Sequence, residues 1–298
     1  MSTIPIAALA GGVAGFGWSL AEARAFTLRR ATVPVLPPGS RSLRVLHLSD
    51  LHLVPRQRRK IEWVQRLASL QPDLVVSTGD NLAHPEAVPY VLAAHGELLD
   101  LPGVFVLGSN DYFAPTPKNP ARYLMRHGGA RRLYGGSLPT ADLVSGFSGG
   151  GWLDLNNRRG QLKFDDMTLE FAGVDDPHIK RDRYQRVAGP ADPSASLTIG
   201  VTHAPYRRIL DAMTSDGAGL VFAGHTHGGQ LCVPGYGALV TNCDLDRARA
   251  KGLSRWPGSG PGDAWLHVCA GLGTSPYAPV RFACRPEASL LTLTARPG

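Results

Sequence analysis

The sequence predicts an α/β fold in which a mixed or parallel sheet carries helical cover. Three observations carry this reading. Short apolar runs of strand length alternate with stretches of helical periodicity. Several of those runs stop abruptly in Gly, Asp, His or Asn. Neither an internal repeat nor a dividing linker interrupts the chain after its first 25 residues.

The elements follow in order. Phe26–Val35 reads as a strand leading into the Pro37–Gly39 turn. Leu43–Leu48 (LRVLHL) is a buried strand. Over Arg58–Leu70 the residues Ile61, Val64, Leu67 and Leu70 fall on one helical stripe. Leu74–Thr78 is a second buried strand, Pro89–Leu99 a helix and Val104–Leu107 a third strand. This βαβαβ rhythm implies parallel pairing with helices packed on the sheet. Pro115–Gly160 is Gly-rich and irregular, with a helix expected near Ala141–Phe147. Strands resume at Leu162–Phe164, Leu169–Ala172 and Leu197–Val201. A helix over Tyr206–Met213 precedes strand Leu220–Ala223, and apolar runs close the chain at Ala264–Cys269 and Leu290–Leu293. Trp256–Asp263 reads as a surface loop.

The chain has 298 residues, 43% hydrophobic and 18% charged, enough for a sizeable core. Its formal charge of +7 favours anionic partners. No basic stripe interleaved with aromatics is present, which ranks nucleic acid low among them. Cys232, Cys243, Cys269 and Cys284 form no C-x-x-C pair, which argues against a zinc knuckle or a thioredoxin-type site. They read as buried free thiols, with a Cys269–Cys284 disulfide the weaker alternative.

Residues 1–25 form a separate apolar N-terminal segment, and residues 26–298 are expected to form one domain. Met1–Ala21 carries no charged side chain, and Arg24, Arg29 and Arg30 follow it. About 20 apolar helical residues span a bilayer core. Residues 4–20 are therefore expected to associate with a membrane, and the flanking arginines place the body in the cytoplasm. The alternatives are a short helix packed on the body of a soluble protein, or a cleaved export signal around Ala21–Ala25. Four glycines and Pro5 weaken this stretch as a helix.

The strand ends carry metal-ligand residue types. LHLSDLH places Asp50 and His52 at i and i+2, which point the same way on an extended segment. VSTGDN brings Asp80, VLGSND brings Ser109, Asn110 and Asp111, and GVTHAP brings His203. VFAGHTHGGQ places His225 and His227 between glycines. His47 reads as a satisfied core histidine. In α/β sheets, ligands bind at the carboxyl ends of strands. This mixed oxygen–nitrogen set exceeds the needs of one tetrahedral ion and fits two divalent ions of Mn, Fe, Zn or Co.

The ordered set Asp50-x-His52, Gly79-Asp80, Gly108–Asp111, His203 before Ala-Pro, and Gly224-His-x-His227 resembles the calcineurin-like metallophosphoesterase superfamily. AGHTHGGQ and the later Arg281, Phe282, Arg285, Pro286 and Glu287 resemble its bacterial membrane-associated branch. The resemblance implies a four-layer αββα sandwich with a dinuclear metal site at the strand C-terminal edge. It implies that Asp50, His52, Asp80 and His227 hold one ion. Asp80, the third-motif Asn, His203 and His225 would hold the other, with Asp80 as the bridge. A metal-bridging hydroxide would then attack a phosphomonoester or phosphodiester in line.

The third motif departs from the family's Gly-Asn-His-Asp, in which Asn ligates and His is the expected general acid. Aligned by column, Ser109 replaces the ligand and Asn110 the acid; shifted by one residue, Asn110 ligates. Asn110 is preferred, because an amide oxygen is the better neutral ligand. The motif histidine is absent either way, and an amide is no general acid. His84 and His178 are candidate substitutes; the bland alternatives are a loop histidine and a surface histidine beside Asp175 and Asp176. PRQRRK (Pro55–Lys60) either attracts an anionic group or is a solvated helix start. The rival readings are a catalytically silent metal-binding scaffold and, ranked lower, a nuclease or nucleic-acid binder.

Overall fold

The computed structural model describes residues 14–117, 134–258 and 263–297. Helix α1 (residues 14–22) leads into β1 (Thr27–Leu36). Next come β2 (Leu43–Leu48), α2 (Arg58–Gln65), β3 (Leu74–Ser77), α3 (Val88–His95) and β4 (Gly103–Phe105). The short α4 (Ser109–Tyr112), α5 (Thr140–Gly149) and β5 (Leu153–Asp154) follow. The second half holds β6 (Arg158–Phe164), β7 (Met167–Gly173), β8 (Leu197–Val201), α6 (Arg207–Ser215) and β9 (Leu220–Ala223). Then come β10 (Cys232–Val233), β11 (Gly237–Ala238), β12 (Gly252–Trp256), β13 (Ala264–Val268) and β14 (Glu287–Ala295).

Two six-stranded sheets result, in the orders β1-β14-β2-β3-β4-β5 and β12-β13-β9-β8-β7-β6. β2, β3, β4 and β5 pair in parallel, as do β7, β8, β9 and β13. Strand alternation assigns each side chain to a layer. Leu43 and Val45 of β2 face the inter-sheet core, where they join Val76, Val104, Phe171, Ile199 and Phe222. Leu46 and Leu48 face the other way, toward Val64 of α2, Val91 of α3 and Phe147 of α5. The outer face of the second sheet packs Val221, Leu266 and Val268 on Ile209, Leu210 and Met213 of α6. Helices, sheet, sheet and helix therefore stack as the four-layer αββα sandwich.

Several boundaries differ from the sequence reading. The Arg58–Leu70 helix ends at Gln65 and continues as a 3-10 turn, Arg66–Leu70, with Gln71 left-handed at φ 46°. The expected stripe still packs inward, with Val64 and Leu67 buried and Ile61 and Leu70 against them. The third strand is Gly103–Phe105; Val106 N–H still donates to Ser77 O at 3.0 Å before the chain turns into the loop around Gly108. β12, within a stretch with no marked strand pattern, pairs antiparallel to β13. All four cysteines are free thiols, so Cys269 and Cys284 form no disulfide.

α1 packs on the body. Ser19 O accepts the Arg281 N–H at 3.0 Å, and the Glu22 carboxylate accepts Ala283 and Cys284 N–H groups at 3.1 and 2.7 Å. Among the described residues no helix is long and apolar enough to cross a membrane. Residues 1–13, most of the expected membrane-associating stretch, lie outside the described residues.

His95 shows how burial couples the fold to pH. Its Nδ1–H donates to Val91 O at 2.8 Å, and its ring packs edge-on to Phe147 and Trp152. Burial pushes this imidazole from 6.5 down to about 4, although the Val91 carbonyl opposes the shift. Between those values the unfolded chain binds the extra proton, so stability is intact above the unfolded pKa and falls as the solution is acidified. Urea unfolding should show a loss on the order of 1–2 kcal/mol from this residue between about pH 7 and 5. His95→Gln should flatten that part of the pH dependence. An unchanged slope in the variant would contradict the account.

Candidate metal centre

The parallel strands of both sheets deliver their C-terminal loops to one edge, and the ligand-type residues meet there. The local backbone is unusual. Asp50, His52, Asp80, His225 and His227 all adopt left-handed φ values, between 42° and 69°. The i, i+2 geometry expected of an extended Asp50–His52 segment is therefore corrected. Both side chains converge because the backbone turns at each residue. The segment remains tied to its neighbour: Asp50 N–H donates to Gly79 O, His52 N–H to Asp80 O and Leu53 N–H to Asn81 O.

The side-chain geometry divides into two halves. His52 Nε2 lies 3.2 Å from His227 Nε2, and Asp50 Oδ1 faces them at 3.9 and 3.6 Å. On the other side, His203 Nε2 lies 3.3 Å from His225 Nδ1 and 3.6 Å from Asp80 Oδ1. Asp80 Oδ2 faces His52 Nε2 at 3.5 Å, so Asp80 offers one oxygen to each half. Ligand atoms of Asp50, His52 and His227 lie mutually within 4.8 Å, as do those of Asp50, Asp80 and His203. Tight loops require Gly108 and Gly224: a Cβ on the first would overlap Asp80 Oδ1, and one on the second would overlap Ser49 Oγ.

The donor chemistry fits divalent cations. His203 Nδ1–H donates to Thr78 O at 2.6 Å, which turns Nε2 toward Asp80 and His225. Imidazole nitrogens facing one another repel through their lone pairs unless a proton or a cation lies between them. Asp50 Oδ1 and His52 Nδ1 are buried polar atoms without a hydrogen-bond partner. Mixed imidazole–carboxylate sets of this kind suit Zn, Mn, Fe or Co.

Electrostatics distinguish the halves. Burial pushes His52 down to about 4 and His227 well below its usual range; at His52 the Asp80 carboxylate opposes the shift, while Lys60 and Arg281 add to it. At His203, burial is overcome by Asp80, Asp176 and Asp50, which raise it to about 9. Burial works against the Asp80 carboxylate, yet His203, His52 and two Asn110 donors hold it well below the ordinary range. Burial leads the rise of Asp50 to about 6 and of Asp176 to about 7.

The third motif divides its labour. Asn110 reaches Asp80 through its backbone N–H at 2.7 Å and its amide Nδ2 at 2.8 Å. Asp111 is fully buried and accepts backbone N–H groups from Gly108, Asp80, Asn81 and Leu82. It clamps the two loops together. His178 comes to the cluster, its ring centroid 4.2 Å from that of His225 and its Nδ1 3.2 Å from the Tyr206 hydroxyl. His84 stays in the turn before α3, where its Nδ1 accepts the Glu86 N–H at 3.1 Å. Of the PRQRRK run, Arg56, Arg58 and Arg59 face solvent, but Lys60 turns inward and donates to Leu51 O at 2.7 Å.

Residues 43–229 match the sequence profile of the calcineurin-like phosphoesterases. The chain belongs to this family. Similar metallophosphoesterases include an uncharacterized one of Aquifex aeolicus (strain VF5), 27% identical over 88% of each chain. Uncharacterized YkuE of Bacillus subtilis (strain 168) is 25% identical over 87% of this chain and 82% of its own. A Bos taurus transmembrane protein with metallophosphoesterase domain is 27% identical over 93% of this chain and 59% of the longer relative.

The sequence reading names Arg281 and Asp176 but assigns neither a role at the site. Arg281, fully buried, donates to Ala270, Gly271 and Gly273 carbonyls and to His227 O. Asp176 carries a buried Oδ2 without a partner. The signal for Asp176 was GVDDPH, an acidic pair directly after a buried strand. For the calcineurin-like chain, Asp111→Ala would strand four buried N–H donors. Chemical unfolding should show a loss of about 2–4 kcal/mol. A loss below about 0.5 kcal/mol would mean the clamp is not structural.

Proposed function

We propose that this calcineurin-like phosphoesterase hydrolyses a phosphomonoester or phosphodiester with two divalent transition-metal ions. The supporting observation is Asp80, which aims one carboxylate oxygen at the His52 half and the other at the His203 half. In this reading Asp50, His52 and His227 complete one site, and His203, His225 and Asn110 the other. The bound ions supply Lewis-acid activation of water and charge stabilisation at phosphorus. Asp111 and Arg281 hold the loops that carry these ligands. His178 stands in for the absent motif histidine as proton donor to the leaving group. Its ring against His225 supports that role, whereas His84 is bonded within its own turn. Residues 26–298 act as one catalytic unit.

The test is ester hydrolysis after Mn²⁺ or Zn²⁺ loading. Wild type should turn over bis-p-nitrophenyl phosphate or p-nitrophenyl phosphate, and Asp80→Ala should abolish it. His178→Gln should slow an alkyl phosphate about 10²–10⁴-fold and the nitrophenyl esters far less, because only the poor leaving group needs the proton. His84→Gln should leave both unchanged. Two bound metals without turnover of any ester would favour the scaffold reading.

The rim of the site supports a membrane-facing orientation toward the cytoplasmic leaflet. Phe16 and Trp18 on α1, Leu231, Val233, Tyr236 and Tyr277 are large exposed apolar side chains. Their segments adjoin: α1 bonds the strap 281–284, and Leu231 bridges to Phe282. A cavity of about 720 Å³ beside β10–β11 is lined by Tyr236, Arg247 and Lys251 and reaches Gly228, next to His227. Exposed aromatics with nearby cations suit an anionic bilayer surface. The uncharged sequence Met1–Ala21 includes the part of α1 that carries both aromatics. The full chain should co-sediment with vesicles containing phosphatidylglycerol, and Phe16→Ser with Trp18→Ser should weaken this about tenfold or more. Equal partition of wild type and the double variant would remove this face from the reading.

A further inference from the structure

A chain of hydrogen bonds crosses the layer between the sheets and ends on Asp50. His47 leaves β2 on the face of Leu43 and Val45, and β13 presents His267 to it. Their Nδ1 atoms lie 2.8 Å apart. His47 Nε2 is 2.9 Å from Thr78 Oγ1. The Thr78 hydroxyl donates to Ser49 Oγ at 2.7 Å, and the Ser49 hydroxyl donates to Asp50 Oδ2 at 2.5 Å. All five residues are buried, and Phe222 packs against both imidazoles.

The proton positions follow from valence. A carboxylate oxygen only accepts, so the single Ser49 hydroxyl proton goes to Asp50. The Thr78 proton goes to Ser49. Thr78 Oγ1 can then only accept from His47, which must carry its proton on Nε2. A neutral imidazole has one N–H, so His47 Nδ1 is bare and His267 Nδ1 donates to it. Burial favours the neutral form of both rings, lowering His47 well below its ordinary range and His267 to about 3. Every donor therefore points toward Asp50.

The consequence falls on the two oxygens of Asp50. Oδ2 takes the Ser49 hydroxyl and, at 3.0 Å, the His225 N–H. Oδ1 is buried, has no hydrogen-bond partner and faces His227 and His52. We propose that His47 and His267 are positioning residues: through Thr78 and Ser49 they fix Asp50 Oδ2 and present Oδ1 to a divalent cation held with His52 and His227. The inference rests on the dinuclear reading above. Outer-shell partners of this kind set ligand orientation and metal affinity.

Two measurements on the full chain test it. Long-range ¹H–¹⁵N spectra of the histidine-labelled protein, assigned with His267→Gln, should show His47 protonated on Nε2 and His267 on Nδ1. Mn²⁺ titration followed by EPR should show Thr78→Val weakening one of two sites about 10–100-fold. Thr78→Ser, which keeps the hydroxyl, should bind within about twofold of wild type. The opposite tautomers, or Thr78→Val binding like wild type, would overturn the proposal. A wild-type chain that binds no Mn²⁺ would overturn the dinuclear reading as well, and is distinguishable because the defect then precedes any substitution.

Discussion

The left-handed backbone at the ligand-type residues is the constraint on which the rest depends. Each non-glycine residue held there costs about 1–2 kcal/mol. Asp50, His52, Asp80, His225 and His227 all accept it. Such a conformation persists only where its surroundings over-determine it. Here backbone hydrogen bonds tie Asp50 to Gly79 and His52 to Asp80. Asp111 gathers the N–H groups of residues 80–82, and Arg281 gathers the carbonyls of 270, 271 and 273. Without the parallel strands ending at one edge, these clamps would have no common point on which to act.

The layered fold was largely legible because alternation and short apolar runs are local signals. Leu43–Leu48, Leu197–Val201 and Leu220–Ala223 match their strands residue for residue. β12 was hidden because GLSRW is short and mixed in polarity; pairing with β13 supplies its order. The strand-end Asp and His residues were visible as types in series. Their geometry was not, since nothing in D-x-H announces a left-handed φ at both positions. Lys60 looked like one more surface cation in PRQRRK, yet the Leu51 carbonyl and the turn of α2 bring it inside. His47 was legible as a core histidine, but its partner His267 lies 220 residues away.

The helix at residues 14–22 packs against the segment that supports the site. Glu22 uses both carboxylate oxygens on the backbone of residues 283 and 284, and Cys284 in turn lies against the His227 carbonyl. Trp18 Nε1–H donates to the same carboxylate at 2.9 Å. An exposed aromatic is thereby held in place by the residue that braces the strap. The rim and the His227 loop share one support.

Charge placement beneath the cluster completes the account. Burial disfavours any charged form, so the sign of each neighbour decides which residues resist it. Lys60 and Arg281 stand under the His52 half and drive His52 further toward the neutral form, against the pull of Asp80. Asp80, Asp176 and Asp50 stand around His203 and raise it against the effect of burial. Two residues of one type, at the same depth, thus meet different balances of charge within one site. Neutral imidazole is the ligand form, while a proton on His203 Nε2 occupies the direction a cation would take. The asymmetry comes from the arrangement of loops: the Arg281 strap closes one side, and the Asp175–Asp176 segment after β7 closes the other.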